Sequence, residues 1–228
     1  PFKYTSQMSL DDAAEQAKVL DVKYHVLPIE KTYDAFMQVL FDEFAGLPQD
    51  VTEENLQSRC RGVLLMALSN KKNYLVLTTG NKSEHAMGYA TLYGDMAGGF
   101  NVLKDVSKTW VYRLSNYRNS LVSEDDPLVI PQRVIDRPPS AELAPDQKDI
   151  DSLPDYEILD HIIESYVERN ESPEKIIGQG FDEPLVKKVV RAIDLNEYKR
   201  RQAALGPRIS EKGFVRDRRY PVTNGWSL

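Results

Sequence analysis

The sequence predicts a domain of the α/β class, in which a parallel sheet is followed by a helical C-terminal part. Residues 74–79 (YLVLTT) form an apolar run that is typical of a central parallel strand, because both faces of such a strand are buried. Amphipathic helical patterns alternate with apolar strand patterns before and after this run. The last third of the chain is helical, with apolar residues at helical spacing, namely Leu159, Ile162, Ile163, Tyr166 and Val167.

Before that strand, the sequence predicts three helices and one further strand. Ser9, with an acidic residue three positions later, predicts the start of the first helix. Thr32 and Thr52 predict the starts of the second and third helices. Residues 23–29 (KYHVLPI) are rich in β-branched and aromatic side chains, which favour a strand. The third helix carries an apolar run at residues 63–68 (VLLMAL), which predicts a buried segment.

After the strand, a polar turn at residues 80–84 (GNKSE) leads into a helix. Ligands usually bind an open α/β sheet at this carboxyl edge, where loops and helix N-termini gather. A glycine-rich loop follows at residues 93–100 (YGDMAGGF). The remaining pattern predicts, in chain order, a helix over residues 108–119, a loop over 120–155, a short helix from 172 and a longer helix from 183 to 202.

The composition excludes several classes of protein. A chain of 228 residues with 41% hydrophobic residues can bury a core without a metal or disulfide. Its net charge of -6 and pI of about 5.2 argue against nucleic-acid binding. Cys60 is its one cysteine, which favours a reducing compartment. Because no apolar run approaches the roughly 20 residues of a membrane helix, and no leader pattern opens the chain, we expect a cytoplasmic protein without membrane contact.

The polar turn after residues 74–79 contains groups that suit a nucleotide. Thr79 and the exposed backbone N–H groups at the strand end can hold phosphate or ribose oxygens. Glu84, five residues later, can bind Mg²⁺ or orient a substrate group. An ordinary turn closed by a capping box between Asn81 and Glu84 is the simpler explanation of the same residues.

Two further segments are candidates for ligand contacts. In the glycine-rich loop, Asp95 can accept a hydrogen bond or contact a metal, although a mobile surface loop explains the same pattern. Residues 199–219 are basic and suit phosphates or carboxylates; a solvated helix end, where cations complement the helix dipole, explains them equally well. No metal-ligand spacing relates the three histidines, His25, His85 and His161.

Taken together, ordered motifs across nearly the whole chain resemble the NAD synthetase family. The likeness is greatest to its long bacterial branch, which uses glutamine. The motifs are residues 55–62 (NLQSRCRG), 77–84 (LTTGNKSE), 88–99 (GYATLYGDMAGG), 137–143 (RPPSAEL), 196–202 (NEYKRRQ) and 217–221 (DRRYP).

This resemblance implies a Rossmann-like adenine-nucleotide α-hydrolase (ATP-pyrophosphatase) fold, a homodimer and a C–N bond-forming ligase. In the implied reaction, ATP adenylates the nicotinate carboxylate of deamido-NAD and pyrophosphate leaves. Ammonia, derived from glutamine in the full-length protein, then displaces AMP. Mg²⁺ is the implied cofactor, because cations must neutralise the polyphosphate.

The resemblance also implies roles for residues at matching motif positions. Glu84 corresponds to a catalytic residue that contacts the metal or deamido-NAD. The positions that correspond to ATP contacts are Thr79, Lys108 and Ser140. The other positions that correspond to deamido-NAD contacts are Asn55, Arg59, Asp95 and Lys199.

The sequence departs from the family pattern at its beginning. The pyrophosphate loop of the family, Ser-Gly-Gly-x-Asp-Ser, precedes the segment that residues 4–9 match, and it is absent together with the strand and helix around it. The glutaminase domain is absent too. We therefore expect residues 1–228 to be a partial synthetase domain that is inactive alone. The alternatives are another ATP-pyrophosphatase amidotransferase, such as a GMP or asparagine synthetase, and a non-catalytic nucleotide-binding or assembly module.

Overall fold

The computed structural model describes residues 1–223 and 225. The chain forms two compact units. The first unit contains Pro1–Arg61 and Tyr112–Ser152, and the second contains Gly62–Val111 and Leu153–Leu228.

Helices dominate the described part of the chain. A 3₁₀ turn lies at Asp149–Asp151, and a π-helical turn at Glu164–Glu168. The α-helices are α1 (Gln7–Val19), α2 (Glu30–Val39), α3 (Val51–Lys72), α4 (Lys82–Met87), α5 (Lys108–Ser120), α6 (Gln132–Asp136), α7 (Tyr156–Ile163), α8 (Pro173–Gly178), α9 (Glu183–Leu195) and α10 (Glu197–Arg201).

The second unit contains a small parallel sheet, as predicted. Strand β1 (Leu77–Thr78) pairs with β2 (Phe100–Asn101), with Thr78 opposite Asn101. The strand is shorter than residues 74–79, and Leu75 and Leu77 are 67% and 54% exposed. The expectation that this strand is covered on both faces is therefore wrong for the described residues, because no described element packs over these two side chains.

The core of the second unit is helical, as the sequence predicted for the last third of the chain. Helices α7 and α9 are amphipathic and bury their apolar sides. Ser172 caps α8, with proline at the first helical position. The predicted helix from 183 to 202 is interrupted at Asn196, where α9 ends and α10 begins. The fully buried core residues include Leu159, Ile162, Val167, Ile176, Val186, Val189, Val190 and Ile193.

The first unit differs from the sequence prediction at several places. One is the loop predicted over residues 120–155, which contains helix α6. Helix α1 begins at Gln7 and is capped by Ser6, whose Oγ accepts a hydrogen bond from the Ser9 N–H at 3.1 Å. Ser9 is therefore inside the helix, not its cap. Residues 23–29 form no strand, because they have no neighbouring strand to pair with and Pro28 has no N–H to donate.

The expected start of one helix and the expected burial of another are also wrong. Helix α2 begins at Glu30, before Thr32, and its Phe36 and Val39 are 41% and 80% exposed. The apolar run of α3 is exposed as well, with Val63 at 58%. None of the described helices is long and apolar enough to cross a membrane.

Candidate functional site

Helix α4 begins with the capping box that the sequence predicted. The Asn81 side chain accepts a hydrogen bond from the Glu84 N–H at 3.0 Å, and Glu84 Oε2 accepts one from the Asn81 N–H at 3.1 Å. These bonds satisfy backbone donors that the first turn of a helix leaves without intrahelical partners. They also hold the Glu84 carboxylate in one place.

The second oxygen of this carboxylate pairs with a lysine. Glu84 Oε1 lies 3.1 Å from Lys108 Nζ, and both side chains are less than one fifth exposed. The pair is anchored at its other end, because the Lys108 N–H donates to Ser83 Oγ at 2.9 Å. A fixed carboxylate and a fixed ammonium therefore stand side by side at the sheet edge.

A cavity of about 90 Å³ lies at the carboxyl ends of β1 and β2. It is smaller than the roughly 300–1,000 Å³ of complete small-molecule sites, so it can enclose only part of such a ligand. It brings together three predicted site residues, Thr79, Glu84 and Asp95. Its lining also includes Thr78, Gly80, His85, Tyr89, Ala90, Met96, Asn101, Ala203 and Ala204.

Lys199 lies beside this cavity, although it does not line it. Its Nζ donates to the Gly88 carbonyl at 2.7 Å and to the Ala90 carbonyl at 2.8 Å. Burial lowers the pKa of the Lys199 ammonium, and nearby Asp95 acts in the opposite direction. Asp95 in turn accepts hydrogen bonds from the Thr91 N–H at 3.0 Å. The two charged side chains thus hold the segment that forms one wall of the cavity.

Two positions beside the cavity wall have no room for a side chain and are occupied by glycine. Gly88 has φ of +67°, which favours glycine, and a Cβ atom there would lie 2.0 Å from Asn196 Oδ1. A Cβ atom on Gly98 would lie 2.6 Å from Thr78 Cγ2. The glycine-rich motif therefore allows close packing at the end of β1, as well as a turn.

His85 is a buried part of the cavity wall. The Asn101 amide Nδ2 lies 2.9 Å from His85 Nε2, so the neutral imidazole accepts this hydrogen bond. Burial, followed by the nearby Lys104 and Arg200 cations, lowers the pKa of His85 from its usual 6.5 to about 4.

We expect His85 to make the second unit less stable in acid. The unfolded chain takes up this proton near pH 6.5, whereas the folded chain does so only near pH 4. Stability therefore falls as the pH decreases through this window, by about 3 kcal/mol in full. Urea unfolding at pH 7 and pH 5 measures the loss, and His85→Gln should make the pH dependence shallower. If the stability of His85→Gln depended on pH as strongly as that of the wild type, His85 would not be the cause of the acid sensitivity.

The remaining predicted contacts lie in the first unit. Asn55 and Arg59 are on α3, with Asn55 half-buried and Arg59 exposed. Ser140 lies in a loop, where its Oγ bonds to the Gln147 carbonyl and accepts a hydrogen bond from the Glu142 N–H at 3.1 Å. Their roles as ligand contacts stay predictions.

The described residues fit a magnesium ion that is held mainly by a substrate. No group of three or more His, Cys, Asp or Glu residues among them could hold a metal ion. Mg²⁺ commonly uses only one or two carboxylates, with phosphates and water completing its octahedral shell. Glu84 and Asp95 provide two carboxylates in the wall of the same cavity.

Part of the cavity wall was not predicted from the sequence. Asn101 ends β2, directly opposite Thr78 at the end of β1. A polar residue at the end of a short apolar strand was the available signal, but Phe100 and Asn101 are too short a strand to recognise. Ala203 and Ala204 carry no chemical signal. They reach the cavity because the Asn101 N–H donates to the Leu205 carbonyl at 2.7 Å.

The parallel sheet, the helical C-terminal part and the polar sheet edge define an α/β domain of the adenine-nucleotide α-hydrolase type. Solved NAD synthetases have similar structures. A glutamine-dependent enzyme from Acinetobacter baumannii, in complex with ADP, is 53% identical, with a TM-score of 0.59 over 100% of this chain and 40% of that one. One from Cytophaga hutchinsonii, 20% identical, has a TM-score of 0.78 over 98% and 38% of the two chains; this likeness concerns the fold alone.

The family model for NAD synthase matches residues 1–203. The chain therefore belongs to the NAD synthase family. It is 58% identical over 226 residues to the glutamine-dependent NAD(+) synthetase of Acinetobacter baylyi, which is 99% of this chain and 41% of that protein. The corresponding protein of Xanthomonas campestris is 51% identical over 227 residues. The chain thus spans about two fifths of the length of these curated relatives.

Proposed function

We propose that this chain is the synthetase part of a ligase that forms NAD from deamido-NAD, ATP and ammonia. The observation that carries the proposal is the meeting of Thr79, Glu84 and Asp95 in one cavity at the carboxyl edge of the sheet. Membership of the NAD synthase family and the ADP complex of the Acinetobacter baumannii relative support a protein that binds an adenine nucleotide.

The proposed chemistry activates the nicotinate carboxylate, which is a poor acyl donor. Attack of the nicotinate carboxylate on the α-phosphorus of ATP forms an acyl-adenylate and releases pyrophosphate. Ammonia then adds to the acyl carbon, AMP leaves, and a proton is lost to give the amide. A carboxylate oxygen is a poor leaving group, whereas AMP is a good one.

The side chains have distinct proposed roles. Thr79 and Lys108 contact ATP. The ammonium of Lys108 offsets negative charge on the phosphates while Glu84 fixes its position. Lys199 and Asp95 shape the wall that receives deamido-NAD.

Mg²⁺, when bound, supplies positive charge that neutralises the polyphosphate. Glu84 and Asp95 would hold it, with the remaining ligands from phosphate and water. The protein is proposed to act as a homodimer in the cytoplasm, with glutamine as the source of ammonia.

The test uses one purified protein, the longer protein, which joins this chain to the remaining part found in its longer relatives. It should form NAD and pyrophosphate in equal amounts from deamido-NAD, ATP and ammonia. Failure of the longer protein, correctly folded, to release pyrophosphate would refute the function.

Lys199→Ala should weaken the binding of deamido-NAD. The variant loses both bonds to the Gly88 and Ala90 carbonyls, so the cavity wall loosens. Loss of one such charged contact is worth about 10-fold in affinity. Steady-state kinetics of the longer protein should show this as a raised KM for deamido-NAD. Lys187→Ala, which removes an exposed lysine from α9, is the control, and an unchanged KM in Lys199→Ala would contradict the role.

A further inference from the structure

Lys82 is a buried cation that the proposed reaction does not use. The residue is 2% exposed. Its Nζ lies 2.8 Å from Glu168 Oε1 and 3.1 Å from Asp105 Oδ1, and it donates to Ser210 Oγ at 2.6 Å. Burying an ammonium group is costly unless carboxylates and other acceptors replace water. These three partners supply that replacement, so the site is an organised ion-pair cluster.

The same cluster holds a segment near the end of the chain. Asp105 Oδ2 accepts hydrogen bonds from the Ile209 N–H at 2.9 Å and from the Ser210 N–H and Oγ at 2.8 and 2.7 Å. Lys82 Nζ also donates to the Lys212 carbonyl at 3.2 Å. We call residues 209–212 the tail segment. It is tied to Lys82 directly and through Asp105.

Lys82 acts from the opposite side of the helix that carries Glu84. Residues two positions apart on an α-helix point about 200° apart. Glu84 lines the cavity, whereas Lys82 points to the ion-pair cluster. The Lys82 N–H also donates to the Val106 carbonyl at 2.8 Å. Lys82 therefore influences the cavity through the position of α4, without touching a ligand in it.

Ser83, between Lys82 and Glu84, is also held by a hydrogen-bond network. Ser83 Oγ bonds to Asp160 Oδ1 and accepts the Lys108 N–H at 2.9 Å. Asp160 Oδ2 accepts the Thr109 N–H at 2.9 Å, which fixes the start of α5. The first turns of α4 and α5 thus share one buried network, and these turns carry the two ends of the Glu84–Lys108 pair.

We propose that Lys82 is a positioning residue, which keeps the Glu84–Lys108 pair at the cavity by anchoring α4 to Asp105, Glu168 and the tail segment. This inference rests on the proposed function. Removing the ammonium leaves the buried carboxylate of Asp105 and the partly buried carboxylate of Glu168 without their cation, and it releases the tail segment. Helix α4 then samples positions in which Glu84 is displaced from the cavity.

The experiment measures ammonia-dependent NAD formation by the longer protein and its Lys82→Met variant, at a temperature where circular dichroism shows both folded. A misplaced group that acts in the transition state lowers kcat by about 10-fold or more. The KM values for ATP and deamido-NAD should rise no more than they do in Glu84→Gln, since Lys82 acts on both substrates only through the Glu84–Lys108 pair. Ser210→Ala, which removes one partner, should lower kcat in the same direction by less.

The matched control is Ile176→Ala, which removes a fully buried core side chain of α8 in the same unit. Its expected loss of stability is similar to that for breaking a buried ion pair. Its kcat should stay within about twofold at a temperature where it is folded. An equal loss of kcat in this control would show a general stability effect and overturn the inference.

A double-mutant cycle tests whether Lys82 affects kcat through Glu84. If Lys82 acts through Glu84, adding Lys82→Met to Glu84→Gln should lower kcat by less than about twofold. Fully additive losses, or an unchanged kcat in Lys82→Met, would overturn the inference. If Lys82→Met does not fold, an unchanged kcat in Ser210→Ala would overturn the inference instead. Wild-type protein that forms no NAD would refute the proposed function itself.

Discussion

Glu84→Gln should reduce NAD formation by the longer protein by about 100-fold or more, the size of effect that loss of one oriented electrostatic group has in an active site. Glutamine keeps an oxygen that can accept the Asn81 N–H, so α4 retains its cap. It loses the charge that pairs with Lys108 at 3.1 Å. The fold should therefore survive while the proposed ligand contact is lost.

Pyrophosphate release is the measurement for this variant, because it reports the adenylation step. Glu183→Gln is the control. Glu183 also lies in the first turn of a helix and also pairs with a lysine, Lys187, at 2.8 Å, but its side chain is 58% exposed. The control should retain full activity. Unaltered pyrophosphate release in Glu84→Gln would remove this residue from the site.

Arg200→Ala should destabilise the second unit by about 3–5 kcal/mol, the usual result of breaking a buried ion pair. Arg200 is 1% exposed and pairs with Glu197, which is fully buried, at 3.1 Å. Its guanidinium also donates to the Ala86 carbonyl at 3.2 Å and lies 4.6 Å from the centre of the Phe214 ring. Alanine removes the partner of Glu197 Oε2 and of the Ala86 carbonyl, and it opens a cavity.

Arg201→Ala is the matched control, because Arg201 pairs with the same carboxylate. Its Nε lies 2.7 Å from Glu197 Oε1, but its side chain is 43% exposed. Water can replace this partner, so the loss should be about 1 kcal/mol or less. Urea unfolding of both variants measures the difference. Equal losses would contradict the assignment of Arg200, rather than Arg201, as the buried partner.

The fold was predictable where one local pattern determined the structure. The helical spacing of Leu159 and Ile162 predicted α7, and Asn81 with Glu84 predicted the cap of α4. Residues 23–29 show the limit of such patterns. Their β-branched and aromatic side chains favour a strand, but a strand also requires a pairing neighbour, which the local sequence does not specify.

The candidate site was predictable in part, for the same reason. Thr79 and Glu84 follow a recognisable strand, and the rule for the carboxyl edge of a sheet places them together. His85 and Asn101 were missed because their contact joins residues 16 positions apart. Lys82 was missed as well. A lysine in a polar turn predicts exposure, and only the fold brings Asp105 and Glu168 to it.

The most direct test is a crystal structure of the longer protein with deamido-NAD and a non-hydrolysable ATP analogue. We expect ligand oxygens within about 3.5 Å of the Thr79 and Glu84 side chains. The nicotinate group should lie beside the cavity wall that Lys199 holds. Both ligands bound at full occupancy elsewhere, with the sheet-edge cavity free of either, would contradict the assignment of this cavity.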